Sequence, residues 1–242
     1  MIIAICGLQG SGKDTIGSYL INSYGFTKLS FAGVLKDIVA ILFGWDRDML
    51  EGATPESREW REQVDLWWSE KLGIANLTPR YVLQYFGTDL FRTHFHPDIW
   101  VIAVERQLSK YTNCVITDCR FPNEFEMLHS SGATIIKITR GELPNWYKSY
   151  VSGLIEKPDG IHPSEYMWVK SKFDYELENN STITDLEIKI DSILKNLFFK
   201  IKIDSFFTKS ESDNFIRSND DLLLRRKYAH SSGLKMFRHL DF

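Results

Sequence analysis

The first fifteen residues constrain this 242-residue chain more than any other stretch. Residues 1–6 form a continuous apolar and β-branched run, which is typical of a buried parallel strand because it is short and stops at a glycine. Residues 7–15, Gly-Leu-Gln-Gly-Ser-Gly-Lys-Asp-Thr, then fit the Walker A pattern G-x-x-x-x-G-K, and residues 14–22 have helical character. The sequence therefore predicts a strand, a glycine-rich loop and a helix in immediate succession.

Phosphate binding explains the residue types in this loop. Glycines permit positive φ angles and close backbone approach, so successive N–H groups can hold an anion, and the helix N-terminus behind them adds partial positive charge. A turn that carries glycines for structural reasons alone is the alternative, but the lysine, the spacing and the preceding strand together favour a polyphosphate site. The residues expected to hold it are Gly10, Ser11, Gly12, Lys13, Asp14 and Thr15, with Lys13 supplying a full charge to the outer phosphates.

Metal binding is where the loop departs from the pattern. The position after the lysine usually carries a Ser or Thr hydroxyl for Mg²⁺, but this chain has Asp14 there and Thr15 one residue later. We therefore expect Mg²⁺ to be held largely through water, with Thr15 a weak ligand that also contacts an inner phosphate.

Composition excludes several classes of protein. The net charge of −3 and the pI near 6.1 give no global reason to expect nucleic-acid binding, and no run of 18 apolar residues predicts a membrane span. Three cysteines without metal-ligand spacing predict buried, reduced side chains. The chain is expected to be a globular cytoplasmic protein with one substantial α/β domain and insertions.

A second chemical signal lies at the end of a later strand. Residues 113–118 predict a buried strand with Asp118 at its carboxyl end, where a Walker B aspartate would lie. Ligands of open α/β sheets bind beyond the carboxyl ends of the strands, so Asp118 and the loop after Cys6 are expected to face one crevice. Arg120 should point into the same region, and a purely structural Asp–Arg ion pair is the alternative.

The remaining pattern predicts a right-handed parallel sheet with two insertions. Strands are expected at residues 26–31, 133–139 and 173–177, with helices between them. Residues 45–77 predict a lid on the acceptor side whose helix begins near Pro55 and runs to Leu72, and residues 141–167 predict an irregular second lid. Another helix is expected to end at Gly87. Residues 199–242 predict an extension, with a partner-binding or nucleic-acid-contacting tail as the alternative.

Three basic residues in this part of the chain remain ambiguous. Lys36 lies in the first turn of a predicted helix, where the helix dipole disfavours a cation. It is either a solvated lysine or one turned toward an anionic substrate. Arg58 and Arg61, in the predicted acceptor-side lid, could also be solvated surface residues.

Several strings together resemble the deoxynucleoside monophosphate kinases of T-even and other bacteriophages and of large DNA viruses. The resemblance spans residues 1–198, and the tail lies outside it. Its most specific part is Asp-x-Arg-Phe-Pro-Asn-Glu at residues 118–124, in order with Gly-Thr-Asp at 87–89 and His-Pro-Ser-Glu at 162–165. It implies a doubly wound parallel sheet of the P-loop NTPase type, similar to nucleoside monophosphate kinases, with helical lid insertions.

The resemblance also implies the reaction and the site. ATP with Mg²⁺ would donate its γ-phosphoryl group to a dNMP, with Lys13, Asp118 and Arg120 as the catalytic residues, and Arg140 would cover the adenine or a phosphate on the donor side. A homodimer and the cytoplasm of an infected host are compatible with it. The acceptor nucleotide would be surrounded by Lys36, Arg80, Gly87, Thr88, Trp100, Asp118, Arg120 and Glu124.

Two other functions stay open on the sequence alone. Another small P-loop kinase could act on a phosphorylated metabolite such as phosphomevalonate, whose kinases can share the Gly-Lys-Asp string, although Trp100 near a base site favours a nucleotide. A non-catalytic nucleotide-binding regulatory protein is the alternative from a different class.

Overall fold

The computed structural model describes residues 1–200, and the predictions for the rest of the tail lie outside the described residues. Five strands form one sheet in which every neighbouring pair is parallel. In chain order they are β1 (Ile2–Cys6), β2 (Thr27–Leu29), β3 (Cys114–Ile116), β4 (Thr134–Thr139) and β5 (Tyr175–Glu178). Their order across the sheet is β2-β3-β1-β4-β5, which confirms the predicted doubly wound parallel fold.

The order of the strands places β1 at the centre. β1 pairs with β3 through Ala4 and Ile116 and with β4 through Ala4 and Ile135. These side chains are fully buried, as continuous apolar strands of a parallel sheet require. The loops that leave β1 and β3 therefore emerge side by side at the carboxyl edge of the sheet.

Helices connect the strands and build the insertions. Residues 183–200 are also helical. The numbered helices are α1 (Lys13–Tyr24), α2 (Gly33–Phe43), α3 (Arg47–Glu51), α4 (Pro55–Trp60), α5 (Leu66–Leu72), α6 (Pro79–Gln84), α7 (Ile99–Leu108), α8 (Pro122–Ser130), α9 (Asn145–Val151) and α10 (Pro163–Tyr166).

The first insertion differs from the prediction of one helix from Pro55 to Leu72. The chain forms α4 and α5 instead, and α3 precedes them. The interruption has a local cause: the Asp65 side chain accepts a hydrogen bond from the N–H of Trp68 and caps a new helix N-terminus. Trp60 and Trp68 pack against a hydrophobic cluster formed by α2, α3 and α7, which holds the short helices together.

The helix expected to end at Gly87 continues past it. α6 leads directly into a π-helix, Tyr85–Phe95, with Gly87 in its first turn. A Cβ at Gly87 would lie 2.8 Å from the Leu35 side chain, so glycine serves close packing against α2 here and does not end the helix. The second insertion is less irregular than predicted, since it contains α9 and α10.

Among the described residues, the hydrophobic core has a main part against the sheet and a second part where α2, α6 and α7 pack against the first insertion. The main part includes all three cysteines, which are buried and unpaired as predicted. No helix within residues 1–200 is both long enough and apolar enough to cross a bilayer. All the residues that line the main cavity lie in the compact unit Met1–Glu187.

Candidate active site

One cavity of about 560 Å³ opens at the carboxyl edge of the sheet. The glycine-rich loop, Asp118 and Arg120 all line it, so the prediction that they face one crevice is confirmed. Every other predicted site residue lines it too, with one exception. Ser11 is buried and borders a smaller pocket on the other side of the loop.

The backbone of the loop depends on its glycines. Gly10 and Gly12 have φ angles of +79° and +103°, which residues with a Cβ rarely adopt. Asn179, just beyond β5, donates a hydrogen bond from Nδ2 to the Ser11 carbonyl at 2.9 Å. A Cβ at Gly12 would lie 2.5 Å from the same Nδ2 atom. The fifth strand therefore holds the loop in shape, and only glycine fits at this contact.

Lys13 is a buried cation with a poor internal partner. The nearest carboxylate, Asp14, is 4.0 Å from its ammonium group and is mostly exposed. Burial, followed by repulsion from Arg120, lowers the pKa of Lys13. The ammonium group is therefore available to an anion in the cavity.

Asp14 has a structural partner that the sequence did not reveal. Thr117, at the end of β3, donates a hydrogen bond from its hydroxyl to Asp14 at 2.9 Å. The carboxylate in the unusual position after the lysine thus ties α1 to the neighbouring strand. Thr15 lines the cavity one residue further on.

Asp118 organises the turn between β2 and α2. Its carboxylate accepts hydrogen bonds from the Ser30 hydroxyl at 2.7 Å, from the Phe31 N–H at 3.2 Å and from the Ala32 N–H at 2.9 Å. Both carboxylate oxygens are used in this way. These contacts favour a positioning role, and a catalytic role for Asp118 stays a prediction.

Arg120 meets the second insertion. Its guanidinium group donates to the Glu165 carboxylate at 3.2 Å and to the Ser164 carbonyl at 3.4 Å. Among the ion pairs of residues 1–200 there is none between Arg120 and Asp118, so the structural Asp–Arg pair considered above does not form. The His-Pro-Ser-Glu string instead faces the strand end that carries Arg120.

Glu124 is a fully buried carboxylate with three donors. It accepts hydrogen bonds from the backbone N–H groups of Arg120 and Phe121 and from the guanidinium group of Arg92. Burial raises the pKa of Glu124, and Arg92 and the backbone donors oppose that shift. Arg92 also lies over the Phe121 ring, so Glu124 fixes both the loop that carries Arg120 and an additional cavity-lining cation.

Trp100 supports the wall of the cavity. It is 3% exposed, and its indole N–H donates to the Gly87 carbonyl at 2.8 Å. Gly87 and Thr88 line the cavity beside it, and so does Gln84. Trp100 therefore holds the π-helix in place, and contact between its ring and a base stays a prediction.

The ambiguity of Lys36 is partly resolved. Its side chain is only 12% exposed and pairs with Glu51 at 3.0 Å, so it is not a solvated surface lysine. Lys28 and Arg47 pair with the same carboxylate. Burial alone would raise the pKa of Glu51, but Lys36, then Arg47 and Lys28, outweigh it and lower the pKa to about 2.

The two remaining predicted residues, Arg80 and Arg140, have different surroundings. Arg80, at the start of α6, pairs with Glu62 at 2.6 Å on the side of the first insertion. Arg140 follows β4 and lines both the main cavity and the small pocket that Gly10 also borders. Arg140 is thus close to the glycine-rich loop, as expected of a residue on the donor side.

A family model described as deoxynucleotide monophosphate kinase matches residues 59–190. A protein of Acanthamoeba polyphaga mimivirus, provisionally named a deoxynucleotide monophosphate kinase, is 31% identical over 211 residues, which cover 81% of this chain and 97% of the relative. The chain belongs to the deoxynucleotide monophosphate kinase family.

Two phage members of the family are more distant. The deoxynucleoside-5′-monophosphate kinase of Escherichia phage T5 is 26% identical, and the alignment covers 54% of this chain and 72% of that protein. The deoxynucleotide monophosphate kinase of Enterobacteria phage T4 is 23% identical, with 81% and 99% covered. The family model matches residues 59–190, which begin after the glycine-rich loop. The loop therefore supports a phosphate site independently of that match.

Several cavity residues of this family member escaped the sequence analysis. Glu51, Arg92, Thr117 and Gln84 line the cavity, but none of them was assigned a role from the sequence. Gln84 had the clearest signal, because it lies three residues before the Gly-Thr-Asp string that is part of the resemblance. Glu51 and Arg92 had none, because the sequence alone does not show which charged side chains turn toward a cavity.

Proposed function

We propose that the protein transfers the γ-phosphoryl group of ATP to the 5′-phosphate of a deoxynucleoside monophosphate, giving ADP and a deoxynucleoside diphosphate. The observation that carries this proposal is that a glycine-rich loop with a buried lysine and a second group of basic side chains line the same cavity. Membership of the family supports the choice of acceptor.

The donor end of the cavity suits a polyphosphate. Gly10 and Gly12 adopt left-handed backbone conformations without side chains of their own, and Lys13 brings a charge without a close partner. Arg140 lies next to this loop. ATP would therefore be held by residues 10–15 and Arg140.

The acceptor end suits a nucleoside monophosphate. Lys36, Arg80, Arg92 and Arg120 line the same cavity as the glycine-rich loop. Transfer between two phosphates spreads charge over equatorial oxygens, so cations that are already in position supply most of the catalysis. The acceptor phosphate is ionised beforehand, which means that no general base is needed.

Mg²⁺ fits the oxygen donors of this site. Among residues 1–200 there is no group of three or more His, Cys, Asp or Glu side chains that could hold a metal by themselves. Thr15, Asp14 and Asp118 nevertheless line the cavity, and Mg²⁺ is commonly bound by one or two such groups together with phosphates and water. The ion would neutralise charge on the transferred phosphoryl group.

The two insertions would act as lids. Glu51 and Arg58 of the first and His162 and Glu165 of the second line the cavity that the loop opens into. Closure over bound nucleotides would exclude water and suppress ATP hydrolysis. The three viral relatives are compatible with action in the cytoplasm of an infected host.

A panel of acceptors tests the proposed function. ADP release from ATP is measured by a coupled assay with each common dNMP and NMP, with phosphomevalonate, and with no acceptor. ADP formation that depends on at least one dNMP supports the proposal. Activity with phosphomevalonate alone would identify a metabolite kinase. ATP binding with no acceptor-dependent ADP formation would identify a non-catalytic nucleotide-binding protein.

A further inference from the structure

Arg61 is a cation without an acidic partner in the part of the chain that the structure describes. It lies at the C-terminal end of α4 and lines the main cavity together with Arg58 and Arg80. Its Nε atom is buried and has no hydrogen-bond partner. Arg80, by contrast, has Glu62 at 2.6 Å. A buried guanidinium donor without a partner is costly unless something else satisfies it.

The charges around Arg61 do not neutralise it. Burial, followed by repulsion from Arg80, lowers the pKa of Arg61. Arginine nevertheless stays protonated in proteins, so this side chain is a charge in an unfavourable place. Glu62 and then Glu51 attract the charge of Arg61, but Glu62 pairs with Arg80 and Glu51 is shared by three other cations. The surroundings of Arg61 therefore attract an anion.

Gly52 determines where the guanidinium group of Arg61 lies. A Cβ at Gly52 would be 2.2 Å from Cζ and 2.3 Å and 2.7 Å from the two terminal nitrogens. The group therefore lies directly against the Gly52 backbone, in space that any other residue would fill. Gly73, in the same insertion, has nearly the same φ angle, +66° against +67°, but a Cβ there would meet nothing within 4 Å.

We propose that Arg61 binds the 5′-phosphate of the acceptor nucleotide and that Gly52 is the residue that positions it. This inference rests on the proposed function and adds a residue to its acceptor site. A guanidinium group offers paired N–H donors that match the oxygens of a phosphate, and this one is already partly desolvated and fixed. Its place in the first insertion assigns it to the acceptor, because the Arg80 N–H donates to the Arg61 carbonyl at 2.9 Å and Arg80 belongs to the proposed acceptor site.

Steady-state kinetics of Arg61→Gln and Arg61→Lys test the role of the side chain. We expect the KM for the dNMP to rise about 10–100-fold in Arg61→Gln, because a charge-assisted pair is lost, while the KM for ATP stays within about twofold. Arg61→Lys keeps the charge but not the paired donors and should fall between the wild type and Arg61→Gln. Arg106→Gln, which removes an exposed arginine on α7, should change neither constant. An unchanged KM for the dNMP, or equal rises in both KM values, would overturn the proposal.

A pair of glycine variants tests the positioning. Gly52→Ala and Gly73→Ala introduce the same left-handed backbone strain, but only the first displaces the guanidinium group. Gly52→Ala should therefore raise the KM for the dNMP as Arg61→Gln does, and Gly73→Ala should leave it unchanged. Equal effects of the two variants would show that Gly52 has no special role. Melting temperatures separate these kinetic effects from loss of folded protein.

The wild-type protein keeps this inference distinct from the proposed function. Wild-type protein that forms no ADP in response to any dNMP would overturn both. Wild-type activity on dNMPs together with an unaffected Arg61→Gln variant would overturn the role of Arg61 alone.

Discussion

Replacing Lys13 with methionine is expected to slow phosphoryl transfer by about 10²–10³-fold. The ammonium group faces the cavity, and its nearest carboxylate is 4.0 Å away with 74% of that side chain exposed, so the protein hardly neutralises it. At an effective dielectric constant of about 20, two unit charges about 4 Å apart interact by about 4 kcal/mol. Loss of most of that stabilisation in the transition state corresponds to about two to three powers of ten in rate.

The same substitution should not destabilise the fold. Burial and Arg120 lower the pKa of Lys13, which means that the folded state disfavours the charged form of this side chain. Methionine fills the space of the aliphatic stem and removes the unfavourable charge. The melting temperature of Lys13→Met is therefore expected to equal or exceed that of the wild type.

Turnover at saturating ATP and dNMP, followed by coupled ADP release, measures the first effect, and thermal unfolding measures the second. Lys110→Met removes an exposed lysine beyond α7 and serves as the control for the charge change. Turnover of Lys13→Met within tenfold of the wild type would refute the assignment of the phosphate site. A clearly lower melting temperature would refute the electrostatic argument.

Other changes have equally definite outcomes. Glu51→Gln should lower the free energy of unfolding at pH 7 by about 1–3 kcal/mol. The pKa of Glu51 is lowered from 4.5 to about 2 in the folded state, so its contribution to stability is present above pH 4.5 and is lost toward pH 2. Urea unfolding curves of the wild type and the variant should therefore converge on acidification. A difference in unfolding free energy that stays constant with pH would contradict this. Gly12→Ala should abolish ATP binding in a calorimetric titration, because the new Cβ would collide with the Asn179 side chain. Normal binding would show that the loop tolerates displacement of Asn179. Trp100→Phe should cost about 1 kcal/mol of stability, because the Gly87 carbonyl loses its indole donor. It should also raise the KM for the dNMP more than the KM for ATP, and the reverse order would argue against the placement of the π-helix at the acceptor end.

The features that could be predicted from the sequence depend on local pattern or on strand ends. The run before Gly7 specified β1, and the acid at the end of the buried run at residues 113–118 indicated that Asp118 and the glycine-rich loop would face one crevice. Parallel topology explains this, because all strands of a parallel sheet present their carboxyl ends at one edge. Neither inference needed the positions of side chains.

The features that could not be predicted depend on contacts between distant segments. Asp65 started a new helix inside a stretch whose composition favours one continuous helix, and Gly87 was needed for packing against Leu35 where a helix end was expected. Arg120 was recognised, but its partner Glu165 comes from α10, 45 residues further along the chain. Such pairs leave no periodic trace in a single sequence.

The contact between Asn179 and the glycine-rich loop has a consequence for synthesis. The two partners are 168 residues apart, so the loop that a ribosome makes first is held by one of the last parts of the sheet to emerge. A nascent chain that ends before β5 contains the complete glycine-rich motif without its support. Capture of ribosome-bound chains on an ATP resin should therefore begin only after Asn179 has left the exit tunnel, although the binding motif was translated long before.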